Sequence, residues 1–155
     1  MIIIGTNFYL GTADKEAKNT YFGWNYELTD EPTWLYQQHI AKTSAGWLPS
    51  FEESHSIHSV ADIKKLYDTQ KFIIYDEYGT VYSWEEFDER VLKHNGGVVG
   101  AIPREKVEVD PTWKYHDANM PGWVPVSHFE YANGRYAYDY FKDPEGYEFS
   151  KHAFS

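Results

Sequence analysis

The chain has 155 residues, no cysteine, and 24 acidic against 14 basic side chains, for a formal net charge of −10. A chain of this length fits one domain and buries roughly 68–70% of the surface its unfolded form exposes, so it needs no staple. The missing cysteines exclude disulfides, thiolate nucleophiles, zinc fingers and iron–sulfur clusters, and they suit a reducing, cytoplasmic setting. The charge excludes the basic clusters by which a protein releases counterions from duplex nucleic acid, since Lys64-Lys65 is the densest basic pair.

Met1-Ile2-Ile3-Ile4-Gly5 opens the chain with an apolar run too short for a signal peptide or a membrane span, and it reads as strand. No later stretch is continuously apolar, so no membrane insertion is expected. Residues 7–11 continue as strand. Residues 13–19 contain helix formers without an apolar stripe and read as a loop or short turn. Residues 34–42 predict a strand that ends in the small-residue turn Thr43-Ser44-Ala45-Gly46. Residues 47–51 return as its partner, where Pro49 argues for an edge position.

Two helices are signalled by their caps. Ser59 with Asp62 precedes Val60, Ile63 and Tyr67 at helical spacing, and Ser83 with Glu86 forms a capping box ahead of Trp84, Phe87 and Val91. His94-Asn95-Gly96-Gly97 supplies a stop after the second helix. Between the helices, residues 71–75 and 80–82 flank Asp76-Glu77-Tyr78-Gly79 as a β-hairpin. Prolines punctuate the second half, and Asn133-Gly134 marks a hairpin turn leading into a strand over 135–141. Asp143-Pro144-Glu145-Gly146 makes another turn before residues 147–150. The sum is a single α+β domain, with a mixed or antiparallel sheet, hairpins and two short helices.

The aromatic content of 14 Tyr, 9 Phe and 6 Trp exceeds what a core alone requires and implies rings at a groove or interface. The densest group of donors is His39-Ile40-Ala41-Lys42-Thr43-Ser44-Ala45-Gly46-Trp47. Small residues after a strand let backbone N–H groups converge on an anion. Lys42 adds a point charge, Thr43 and Ser44 hydroxyls, His39 a hydrogen-bonding ring and Trp47 a stacking face. The Gly spacing of a P-loop is absent, and the same residues also fit an ordinary hairpin turn with Trp47 in the core. Asp76 and Glu77, adjacent at a hairpin tip, make a poor acid/base pair, although either could orient Lys42 or His39. His55 and His58, with Glu52 and Glu53 upstream, have metal-like composition but no third ligand at a convincing spacing. No Gly-x-Ser-x-Gly elbow occurs, and no catalytic residue, metal or cofactor is called for by any motif.

The segment from His39 to Trp47 resembles a group of small bacteriophage proteins of unassigned function. The likeness extends to Asn7-Phe8-Tyr9, to Asp76-Glu77-Tyr78-Gly79 with Ser83-x-Glu85-Glu86-Phe87, and to Asp143-x-Glu145-Gly146-Tyr147-x-Phe149-Ser150. Ala41 stands where that group carries Gly. The resemblance implies an accessory protein acting on the host, commonly against a defence system. Two routes follow: sequestering a phosphorylated, nucleotide-like small molecule, or docking on a host protein as an acidic, aromatic-rich inhibitor. A metal-assisted hydrolase using His55 and His58 is a third reading, and a homo-oligomer would suit the first.

Overall fold

A computed structural model describes residues 6–24, 26–29, 35–43, 48–93 and 140–151. The expectations for residues 1–5, for Ser44 and Trp47, for the stop at 94–97 and for the turn at Asn133-Gly134 lie outside the described residues. Among the described residues, eight strands form one mixed sheet. They are β1 (Thr6–Thr12), β2 (Glu27–Leu28), β3 (Tyr36–Thr43), β4 (Ser50–Glu52), β5 (Ile73–Asp76), β6 (Val81–Tyr82), β7 (Tyr140–Lys142) and β8 (Glu148–Ser150). Their order across the sheet is β6-β5-β1-β3-β4-β8-β7, with β2 paired to β3. The pairings are antiparallel except β4 with β8, which is parallel. The α+β class expected from the sequence is therefore observed.

Three short helices accompany the sheet. α1 (Lys15–Ala17) starts at Asp14, whose carboxylate accepts from the Ala17 amide at 3.0 Å. It widens into a π turn, Lys18–Phe22, closed by Gly23 N–H donating to the Lys18 carbonyl. The sequence reading of 13–19 as loop or turn missed this helix because its buried apolar residues, Ala17 and Phe22, sit at its end and beyond that window. α2 (Val60–Asp68) is capped by Ser59 through the Asp62 amide. α3 (Trp84–Phe87) carries both halves of the capping box between Ser83 and Glu86 and continues as a second π turn, Asp88–Leu92.

Alternation in the strands sends Phe8, Leu10, Ile40 and Ile74 to one face, where they join Ala17, Phe22, Ile63, Leu66, Phe87 and Val91 in one buried cluster. Phe51, Phe149 and Phe141 extend it across β4, β8 and β7 as a run of stacked rings, with centroids 5.3 and 5.4 Å apart. Pro49 does not make β4 an edge. It stands one residue before the strand, so its missing N–H removes nothing from the ladder, and β4 lies between β3 and β8. The β7–β8 turn is held by Asp143, whose carboxylate accepts from the amides of Glu145 and Tyr147 and from Val60 N–H in the first turn of α2. Gly146 has φ +92° there, the left-handed conformation that glycine adopts without penalty. No described helix is long and apolar enough to cross a membrane.

Candidate functional site

The face of the sheet opposite the helices carries His39 and Lys42 together, and a bulge is the reason. In the β1–β3 register Phe8 pairs with Ala41 and Tyr9 with His39, which leaves Ile40 without a partner. Ile40 and Ala41 are consequently both buried in the core. Every residue after them changes face, so Lys42 joins Gln37 and His39 on the side away from the helices. The same shift turns Thr43 to the helix side, where it is 3% exposed. Thr43 therefore does not share a surface with Lys42, and Ser44 and Trp47 lie outside the described residues.

Around His39 the register assembles three rings. Tyr9 stacks on His39 at 4.9 Å and on Tyr75 at 5.9 Å, forming a row across β3, β1 and β5. Gly11 makes room for it: a Cβ there would stand 2.6 Å from the Tyr75 ring. The Tyr75 hydroxyl donates to Gln37, and the Gln37 amide donates to Glu27 at 3.3 Å. Burial raises the Tyr75 pKa, and the tyrosine stays neutral. His39 places Nε2 3.1 Å from the Ala41 carbonyl and Nδ1 4.0 Å from Glu52. Burial pulls its pKa down to about 4, so at neutral pH the ring is uncharged and donates from Nε2 to that carbonyl. Glu27, Glu77 and Lys42 act on His39 through their charges, and Glu52 stands beside its Nδ1.

The two hairpin-tip carboxylates have structural employment. Asp76 points to the helix side and accepts from the amides of Tyr78 and Thr80 and from the Tyr82 hydroxyl at 2.7 Å. Burial pushes its carboxyl up, but these three donors outweigh burial and bring its pKa below the ordinary value. Glu77 accepts from the backbone and side-chain amides of Asn7, the register partner of Lys42. Glu77 forms no ion pair with Lys42 among the described residues. His58 uses both ring nitrogens locally, Nδ1 on Glu53 at 2.9 Å and Nε2 on the His55 carbonyl at 3.1 Å. The Glu53 hydrogen bond raises its pKa. Among the described residues no group of three or more His, Asp or Glu converges as a metal site.

A second surface, which the sequence did not single out, lies at the β5–β6 end of the sheet. A cavity of about 470 Å³ opens there between Tyr67, Phe72, Ile73 and Val81, with the carboxylates of Asp68 and Glu86 beside it. Glu86 is held ionised by the Ser83 amide. Val81 is 55% exposed, and Ile73 and Tyr78 on the same hairpin are also exposed. β6 terminates the sheet among the described residues. Asp76 N–H donates to Thr80 O at 3.0 Å, and Ile74 pairs with Tyr82, so antiparallel alternation turns the Val81 N–H and C=O outward. The signal available in sequence was the apolar Val81 after a tight turn, but its edge position depends on strand order. Comparison with protein-family models, curated proteins and solved structures returns no match.

Proposed function

We propose that the chain is a non-enzymatic binding protein that docks on a partner protein, taking an extended basic segment along β6. One observation carries this reading: a strand that terminates the sheet among the described residues, with outward backbone groups, borders a mixed cavity where Phe72, Ile73 and Val81 meet the carboxylates of Asp68 and Glu86. Strand addition supplies main-chain hydrogen bonds, and the cavity takes one side chain of the incoming segment. Asp68, Glu86 and the net charge of −10 complement lysine and arginine in that segment. Asp76, Asp143 and Glu86 serve two turns and a cap, which supports binding over catalysis at these carboxylates. The resemblance to small bacteriophage proteins makes a host protein the natural partner and the host cytoplasm the place of action.

The test is fluorescence anisotropy with a labelled peptide alternating lysine and valine, alongside affinity capture from host lysate. Binding that weakens as salt rises, and falls roughly tenfold or more in Val81→Lys, supports docking at β6. Peptide and captured partner binding Val81→Lys as tightly as the parent chain would refute it.

A second reading rests on the β3 bulge, which sets Lys42 on the same face as the stacked Tyr9 and His39 rings. An ammonium beside stacked rings supports binding of a phosphorylated, nucleotide-like molecule. Calorimetric titration with nucleotides and cyclic dinucleotides checks this, with Lys42→Ala as the control. The three nearby glutamates weigh against a polyanion and place this reading second.

A further inference from the structure

Lys18 is 6% exposed, yet its ammonium has no hydrogen-bond or ion-pair partner among the described residues. Its surroundings are rings. Nζ stands 4.6 Å from the centroid of Tyr26, 5.2 Å from Tyr36 and 5.8 Å from Trp24. Tyr26 and Tyr36 meet edge to face at 5.3 Å and 80°, forming two walls at right angles. Trp24 forms a third side and is 93% exposed, the most exposed large apolar side chain in the described structure.

Ring faces attract a cation but satisfy none of its three N–H donors. Burial of an ammonium with unfilled donors is costly, and an oxyanion is the group that fills them best, through short charge-assisted bonds. Local architecture fixes the lysine in place: the π turn begins at Lys18, and its carbonyl accepts from Gly23 N–H at 2.9 Å. Tyr36 is anchored in β3 through pairing with Thr12 and Leu28 on two strands. The exposed Trp24 offers a flat platform next to the buried charge.

We propose that Lys18, Trp24, Tyr26 and Tyr36 form a subsite for an oxyanion carried on a planar body. The phosphate or carboxylate oxygens accept from Lys18 Nζ, and the attached ring stacks on the outer face of Trp24. The site is separate from the β6 edge and from Lys42, and its occupation does not depend on a protein partner.

Calorimetry with adenosine 5′-monophosphate, benzoate and inorganic phosphate tests the proposal on the whole chain. The expected result is that the two planar anions bind, that inorganic phosphate binds at least severalfold more weakly, and that Lys18→Met weakens the planar anions roughly tenfold or more. Lys18→Arg, which keeps a cation and donors, retains binding, and Trp24→Leu, at an exposed position that leaves the core untouched, weakens the monophosphate. Should Lys18→Met fail to fold, the Lys18→Arg and Trp24→Leu titrations decide. The proposal is overturned by no binding of any of the three probes at millimolar concentration, by equal binding to parent and Lys18→Met, or by phosphate binding as tightly as the monophosphate.

Discussion

On the helix side of the sheet, Phe8, Leu10, Ile40 and Ile74 pack against Ile63, Leu66, Phe87 and Val91 with no solvent exposure at most of these positions. On the other side, the alternate residues of the same strands are Tyr9, His39 and Tyr75, stacked in a row and tied to Gln37 and the glutamates. The first face stabilises by apolar area and close packing. The second adds polar handles to its rings: Tyr75 donates to Gln37, and His39 Nε2 stands 3.1 Å from the Ala41 carbonyl. The difference shows that strand pairing alone does not decide where chemistry sits. One extra residue in β3 moves Lys42 to the polar face and Thr43 to the apolar one.

The sharpest way to break the apolar face is Phe8→Ala. Phe8 is fully buried, with ring contacts to Tyr82 at 5.5 Å and Phe87 at 6.1 Å, and its truncation is expected to cost about 3–5 kcal/mol in denaturant unfolding. Asp76→Asn tests the polar anchor within that face. Its expected cost is about 1–3 kcal/mol, since one acceptor serving Tyr82 and two amides is weakened. The pH signature follows from its lowered pKa: the stabilisation is present above the ordinary value of 3.8 and is lost as pH falls through the folded value, so the variant loses this acid dependence.

Gly11→Ala probes the polar face from beneath. The new Cβ displaces the Tyr75 ring, breaking its stack on Tyr9, for an expected cost of about 1–3 kcal/mol and a change in near-ultraviolet dichroism. At neutral pH the smallest effect belongs to His39. Below its ordinary pKa of 6.5 the unfolded chain takes up a proton that the folded ring refuses until about pH 4. Stability therefore falls as pH drops from 6.5 to 4 and gains nothing from this group above 6.5. His39→Gln should flatten that part of the profile, and proton NMR should find the parent ring uncharged at pH 5.5.

The capped helices and hairpin turns were legible because their signals are local: Ser83 and Glu86 lie three residues apart, and Gly79 closes a four-residue turn with φ +87°. The bulge at Ile40 was not legible, since nothing in His39-Ile40-Ala41 states which two neighbours will both face the core. The β4–β8 pairing was hidden for another reason. It joins Ser50 to Glu148 across 98 residues, and short-range patterns carry no information on such partners. The candidate site was legible only in part. His39 and Lys42 share a face, but the buried Lys18 and its three rings come from a turn, a loop and a strand, and no spacing rule links them.

The late arrival of β8 has a consequence for synthesis. β8 slots between β4 and β7, and Glu148, 2% exposed, accepts from the Ser50 hydroxyl at 3.1 Å. A growing chain halted before residue 148 leaves β4 with a bare, aromatic-flanked edge able to pair with any extended neighbour. Synthesis must pass Ser150 before β4 is covered, so stops upstream of it should yield clumping or proteolysed fragments rather than shortened, working copies.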